Sequence, residues 1–111
     1  MKNFMIKYAE FCTGIGGFSL GIQRSKLNAN LVYCNEIDKE CEKTFVANFS
    51  RKYDSNNIFD IDSKQLPEFE FMCSGFPCQP FSQAGKMLGF NDIRGTIFFK
   101  LLEIIKTKKL P

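Results

Sequence analysis

The sequence predicts an α/β fold built on a parallel sheet, and three observations support this prediction. Short apolar runs alternate with stretches whose apolar residues follow helical spacing. A glycine-rich turn, Thr13-Gly14-Ile15-Gly16-Gly17, directly follows the first apolar run. Hydrophobic content of 44% and charged content of 24% are ordinary for a globular protein. At 111 residues the chain is expected to form one compact domain.

Each predicted strand is short and mostly apolar, and the four of them cover residues 4–12, 31–34, 58–61 and 69–73. The predicted helices run from Phe18 to about Lys26, over 39–49 with Asp38 as N-cap, and over 95–108. A long loop, 74–94, precedes the last helix. The sheet is expected to stop after about four strands, which leaves residues 69–73 as an apolar edge that is prone to pairing with another chain.

The chain has five cysteines and no histidine. An odd number of cysteines without a signal peptide indicates reduced thiols. No apolar run approaches the roughly 20 residues that span a bilayer, so a cytoplasmic protein without a membrane partner is expected. The absence of histidine excludes Ser–His and Cys–His hydrolases and most zinc sites, and no metal site is predicted. The net charge of +3 suits a polyanionic partner without identifying one.

The glycine turn and one acidic residue predict a nucleoside cofactor. Glycine allows the backbone to turn tightly and to approach a ligand closely. Glu36 follows Gly16 by twenty residues and ends the second strand, where a carboxylate can accept hydrogen bonds from ribose hydroxyls. The dinucleotide fingerprint requires a third glycine where this chain has Ser19, so the turn alone leaves the cofactor open. Asp60 could reach an adenine amino group, or it could be a cap or turn residue.

The segment Ser74-Gly75-Phe76-Pro77-Cys78-Gln79-Pro80 predicts a nucleophilic cysteine. Two prolines restrict the backbone around Cys78, which is a costly arrangement for a residue that only packs. Packing suffices for the other cysteines, namely Cys12, Cys34, Cys41 and Cys73. Without histidine, Cys78 would be activated by a cation, by backbone N–H groups or by an electrophilic substrate.

Together these motifs resemble the cytosine-C5 DNA methyltransferase family. Glu10 to Phe18 is similar to the segment that cradles S-adenosylmethionine, Asn35 to Asp38 to the ribose-binding motif, and Phe59 to Ile61 to the adenine-binding motif. Residues 75–82 resemble the signature Pro-Cys-Gln loop, and 89–99 resemble the motif after it. The resemblance implies cofactor contacts from Cys12, Gly14, Ile15, Gly16, Gly17, Glu36, Ile37, Asp60, Ile61, Pro77 and Ile97, with Cys78 as the catalytic residue.

The resemblance also implies a Rossmann-like S-adenosylmethionine-dependent methyltransferase fold and an enzyme of the restriction–modification type. The partner would be double-stranded DNA with the target cytosine flipped out of the helix. The Cys78 thiolate would attack C6 of that cytosine, and C5 would then receive the methyl group.

Two departures from the family pattern stand out. The family has an aromatic residue, stacked on adenine, where this chain has Cys12, and its loss is expected to weaken cofactor binding by about 1–3 kcal/mol. The family's later Glu-Asn-Val motif, Arg-rich motif, target-recognition region and C-terminal helix are absent from these 111 residues. The chain is therefore expected to be a partial catalytic domain: half of a split enzyme with a complementing C-terminal subunit, or the product of a decayed or incompletely translated gene.

Three alternatives remain. A tRNA cytosine-C5 methyltransferase shares the motifs, but Phe76 before Pro77 favours a DNA-modifying enzyme. A non-catalytic cofactor-binding or assembly subunit fits the short length. A nicotinamide oxidoreductase is disfavoured by Ser19 and leaves the Pro-Cys-Gln segment unexplained.

Overall fold

Three parallel strands form the centre of the fold. The computed structural model of the chain describes residues 4–51, 53–75 and 93–111. In that part, β1 (Ile6–Phe11) lies between β2 (Ala29–Asn35) and β3 (Phe71–Ser74), and it pairs in parallel with both. The α/β class and the parallel sheet predicted from the sequence are confirmed.

Three helices connect or follow the strands: α1 (Gly17–Arg24), α2 (Lys39–Phe49) and α3 (Ile93–Lys108). The predicted cap of α2 is confirmed, because the Asp38 side chain accepts a hydrogen bond of 2.9 Å from the Glu40 amide. Most of the predicted loop, residues 76–92, lies outside the described residues. Among the residues described, no helix is long and apolar enough to cross a membrane.

The prediction of a strand at 58–61 is wrong. Ile58–Asp60 forms a 3-10 helix, and a second one follows at Ser63–Gln65. The Asn57 side chain accepts a hydrogen bond of 3.0 Å from the Phe59 amide and so caps the first turn. A 3-10 helix has three residues per turn, so Ile58 and Ile61 point the same way, and both side chains are buried. In a strand these two side chains would have pointed to opposite faces.

The two faces of the sheet carry separate cores. Ala9 and Phe11 point to one face, where Leu101 and Ile104 of α3 cover them together with Phe69 and the 3-10 segment. Tyr8 and Glu10 belong to the opposite face, which α1 and α2 cover; there Cys34 packs with Phe45 and Tyr53. The alternation along β1 thus assigns every second side chain to the α1 side, and Glu10 is one of these.

β3 occupies one edge of the described sheet, as the sequence predicts for this strand. It begins two residues later than expected, at Phe71, because Phe69 turns into the core and is only 5% exposed. The four residues of β3 are half-buried. In the described part of the chain, β3 pairs only with β1.

Candidate functional site

The turn between β1 and α1 has an unusual backbone. Cys12, Gly14 and Gly16 have positive φ angles of 51°, 58° and 94°. A left-handed conformation at a non-glycine residue such as Cys12 costs about 1–3 kcal/mol and is typical of ligand sites. Hydrogen bonds of 3.0 Å from the Thr13 amide to Asn35 O and from the Gly16 amide to Thr13 O hold the turn. The turn therefore has a strained backbone conformation that two backbone hydrogen bonds stabilise.

Gly16 packs directly against α2. A Cβ atom at this position would lie 2.4 Å from Phe49 Cε2 and 2.9 Å from Phe45 Cδ2. Both distances are shorter than carbon atoms tolerate, so only glycine fits. A Cβ atom at Gly14, by contrast, would meet no heavy atom within 4 Å. The turn thus rests on α2 through Gly16 and leaves open space at Gly14.

Glu36 connects the glycine turn to the end of β2. Its Oε1 accepts a hydrogen bond of 2.8 Å from the Gly14 amide, and its Oε2 accepts one of 3.1 Å from the Asp38 amide. Each carboxylate oxygen has two lone pairs, so both oxygens can accept a further hydrogen bond. Two backbone amides therefore orient the half-buried carboxylate without saturating it.

A cavity of about 200 Å³ lies beside this carboxylate, where β1 and β2 end. Ligands of parallel α/β sheets bind at this edge. Its lining is Cys12, Asn35, Glu36, Ile37, Asn57, Ile58, Phe59 and Ile97. Ile37 and Phe59 are large apolar residues, yet they are 61% and 38% exposed. One carboxylate beside apolar side chains suits a ligand with a polar sugar and a flat aromatic base.

The structure brings together some of the predicted site residues. Cys12, Glu36, Ile37 and Ile97 line this cavity, and Gly14 joins them through its hydrogen bond to Glu36. A second cavity of about 210 Å³ lies between α1 and α2, and three predicted residues line it: Ile15, Gly16 and Gly17.

The remaining predicted residues lie elsewhere. Asp60 is exposed on the 3-10 helix and is not among the residues that line the cavity. Ile61 is 8% exposed and packs in the core between the sheet and α3. Pro77 and Cys78 lie outside the described residues, and their roles stay predictions.

Asn57 and Ile58 line the cavity but were not predicted, and Asn35 and Phe59 were included only as parts of the motifs at 35–38 and 59–61. The assignment of 58–61 to a strand removed the turn that places Phe59 at the cavity. A signal was available, because asparagine before an apolar residue is a common cap. Asn35 had no such signal; its side chain donates hydrogen bonds of 2.9 Å to Asp54 O and Asn56 O, so it fixes the loop that follows α2.

Burial raises the pKa of all four described thiols, Cys12, Cys34, Cys41 and Cys73. The pKa of Cys34 rises to about 11. At Cys12 burial is the main cause; the nearby Glu36 carboxylate raises the pKa further, and a hydrogen bond with Ser74 partly offsets both. The four thiols are therefore neutral near pH 7 and lack the thiolate character of a nucleophile.

Comparison with known proteins gives one consistent family. The C-5 cytosine-specific DNA methylase family matches residues 6–111. The chain is 44% identical over 108 residues to the type II methyltransferase M1.ScrFI of Lactococcus lactis subsp. cremoris, covering 97% of this chain and 27% of the relative. It is 38% identical to M.HhaI of Haemophilus parahaemolyticus, covering 94% and 31%. The chain thus spans about a quarter to a third of the length of these relatives.

Solved structures agree on the fold. The methyltransferase EhMeth of Entamoeba histolytica superposes with a TM-score of 0.76 at 23% identity, covering 94% of this chain and 34% of that one. A mutant of DNMT2 from Spodoptera frugiperda gives a TM-score of 0.66 at 26% identity, covering 90% and 31%. The architecture is that of these Rossmann-like methyltransferases. By its match over nearly its whole length, the chain belongs to the C-5 cytosine-specific DNA methylase family.

Proposed function

We propose that this chain binds S-adenosylmethionine in the cavity beside Glu36 and carries the nucleophile of a DNA (cytosine-5)-methyltransferase of the restriction–modification type. The observation that carries the proposal is the Glu36 carboxylate. It is oriented by the Gly14 amide and lies against an apolar cavity where β1 and β2 end. The identity to type II methyltransferases supports the assignment.

The described residues fit this cofactor. The free lone pairs of Glu36 can accept hydrogen bonds from the two ribose hydroxyls. Ile37 and Phe59 provide exposed apolar surface for the adenine ring. The open space at Gly14 allows a ligand to approach the backbone closely. When bound, S-adenosylmethionine supplies the methyl group.

The proposed substrate is a cytosine that has been flipped out of double-stranded DNA. The Cys78 thiolate forms a bond to C6, and the electrons of the C5–C6 double bond make C5 nucleophilic. Once C5 carries the methyl group and a base has removed its proton, the bond between sulfur and C6 breaks and the double bond re-forms. The resemblance of residues 75–82 to the family's Pro-Cys-Gln loop supports Cys78 as the nucleophile.

The proposal includes a complementing partner. Because the chain spans only 27% and 31% of the relatives M1.ScrFI and M.HhaI, we propose that methyl transfer also needs the remaining domains of the family fold, supplied by a C-terminal subunit or segment. Cofactor binding rests on the residues described above and can be tested first.

Replacing Glu36 by glutamine tests the cofactor site. Glu36→Gln retains an oxygen that accepts from the Gly14 amide, but it places an NH2 group where Oε2 accepts from the Asp38 amide and removes the charge that would strengthen hydrogen bonds from ribose. Hydrogen bonds to charged groups contribute about 1.5–3 kcal/mol, so the Kd for S-adenosylhomocysteine should rise about 10- to 100-fold. Isothermal titration calorimetry of the full chain measures this change.

The matched control is Glu40→Gln. The Glu40 side chain is 81% exposed and forms only a surface ion pair with Lys43, at 3.3 Å. Its replacement should leave the Kd unchanged. A Glu36→Gln variant that binds as tightly as the Glu40→Gln variant would remove the basis of the proposed site.

Cys12 offers a second test, in the direction of tighter binding. The ring that the family carries at this position stacks on adenine, and such stacking contributes about 1–3 kcal/mol per base. Cys12→Phe should therefore lower the Kd for S-adenosylhomocysteine at least about fivefold. Cys12→Ala, which adds no ring, should bind like the original chain. Equal affinities of the two variants would show that the base does not lie against residue 12.

A further inference from the structure

A buried chain of hydrogen bonds joins β1 to the first turn of α1. Tyr8 Oη donates to Ser19 Oγ at 2.9 Å, and Ser19 Oγ donates to Glu10 Oε1 at 2.8 Å. Tyr8, Ser19 and Glu10 are 3%, 2% and 0% exposed. None of these three side chains lines the cavity beside Glu36. The proposed chemistry therefore leaves this network without a role.

The network connects the residues on either side of the glycine turn. Glu10 lies two residues before Cys12, and Ser19 lies in the first turn of α1, two residues after Gly17. Thr13 Oγ1 adds a hydrogen bond of 3.2 Å to Glu10 O. The N-cap of α1 is Gly16, which has no side chain to cap the helix. The contact between Ser19 and Glu10 thus fixes the start of α1 relative to β1, and with it the ends of the turn.

Ser19 occupies the position of the third glycine in the dinucleotide fingerprint, which permits close packing of helix and strand. Here the helix also lies close to the strand, but a hydrogen bond sets the separation. The hydrogen bond between the Ser19 hydroxyl and the Glu10 carboxylate fixes both the distance and the orientation of α1 relative to β1. A glycine at position 19 would only allow the helix and the strand to approach closely.

The buried Glu10 carboxyl group lowers the stability of the folded chain. In the described part of the chain, Glu10 Oε2 is buried and has no hydrogen-bond partner. Burial raises the pKa of Glu10, and hydrogen bonds from Ser19 and from the Phe18 backbone only partly offset this effect. Its cross-strand partners, Cys34 and Cys73, carry no positive charge that would compensate. An apolar side chain of similar size would avoid the cost, so stability does not explain a glutamate here.

We propose that Glu10 and Ser19 are positioning residues that hold the glycine turn in the shape that receives the cofactor. The proposal rests on the proposed function and extends it to two residues that do not line the cavity beside Glu36. It predicts that loss of the hydrogen bond between Ser19 and Glu10 Oε1 weakens cofactor binding more than it lowers the stability of the fold.

Three variants of the full chain test this, each measured by calorimetry with S-adenosylhomocysteine and by thermal unfolding. Ser19→Ala and Glu10→Met both remove the bond and should each raise the Kd about tenfold, as expected for one buried hydrogen bond. Glu10→Met also removes the unpartnered oxygen, so its Tm should fall less than that of Ser19→Ala, which leaves the buried Glu10 carboxyl group without its Ser19 partner. Glu10→Gln keeps an acceptor for Ser19 and should restore most of the affinity.

Ser63→Ala is the matched control. Ser63 is 5% exposed, and its hydroxyl donates to Glu103 Oε2 at 2.7 Å, far along the chain from the glycine turn. Its replacement should lower the Tm and leave the Kd unchanged. Absence of binding by the original chain would refute the proposed function itself. Binding by the original chain that Ser19→Ala and Glu10→Met leave intact, or that Ser63→Ala weakens equally, would overturn the positioning role alone.

Discussion

Cys78→Ser is expected to abolish methyl transfer to DNA while leaving the Kd for S-adenosylhomocysteine within about twofold. A serine hydroxyl remains protonated at neutral pH and is a far weaker nucleophile than a thiolate. Removing the nucleophile of a covalent mechanism lowers the rate by at least about a thousandfold. The measurement is incorporation of labelled methyl groups into cytosine of duplex DNA, with the chain mixed with the remaining purified domains of the family fold.

Cys41→Ser controls for the loss of a thiol as such. Cys41 is half-buried on α2 and is not among the residues that line the cavity beside Glu36. Its replacement should retain full transfer. If Cys78→Ser keeps more than a tenth of the activity of the Cys41→Ser variant, Cys78 is not the nucleophile. If no combination with the remaining domains transfers methyl groups, the complementing-partner proposal is wrong.

Gly16→Ala is expected to lower the free energy of unfolding by about 2–4 kcal/mol, from backbone strain together with overpacking. The strain arises because φ is 94°, a value that residues with a Cβ atom rarely adopt. The overpacking arises because the new Cβ atom would lie 2.4 Å from Phe49 Cε2. Relief requires the rings of Phe45 and Phe49 to shift or the glycine turn to move, so cofactor binding should weaken as well. Urea denaturation followed by circular dichroism measures the stability.

Gly21→Ala makes the same chemical change in the same region and should have the opposite sign. Gly21 lies within α1, and a Cβ atom there would meet no heavy atom within 4 Å. Alanine in a helix interior is more favourable than glycine by about 0.5–1 kcal/mol. A Gly16→Ala variant that is as stable as the Gly21→Ala variant would contradict the packing described for the turn.

Local chemistry made much of the fold predictable from the sequence. Apolar runs located the three strands found in the described residues, and Asp38 predicted the start of α2 because its side chain can cap only a helix that begins there. The two glycines with positive φ, Gly14 and Gly16, were predictable for the same reason: the backbone conformation of the turn excludes most other residues.

The predictions that failed concern residues whose structure depends on contacts with distant parts of the chain. Ile58 and Ile61 fit a strand by composition, and their shared burial in one core with Leu101 and Ile104 of α3 favours the 3-10 turn that the Asn57 cap begins. The hydrogen bond between Ser19 and the Glu10 carboxyl group was not predicted, because no sequence pattern reveals that these two side chains meet. The position of Phe59 at the cavity was not predicted because residues 58–61 were assigned to a strand.

The central position of β1 couples folding to ligand binding. Both partners of β1 come from later in the chain, and β3 is separated from it by more than half of the sequence. Each pairing closes a long loop, which slows folding and makes assembly cooperative. Because the cavity draws on residue 12, residues 35–37, residues 57–59 and residue 97, it exists only once these loops are closed. Under the proposed function, ligand occupancy and the folded population therefore rise together, and saturating cofactor stabilises the folded chain.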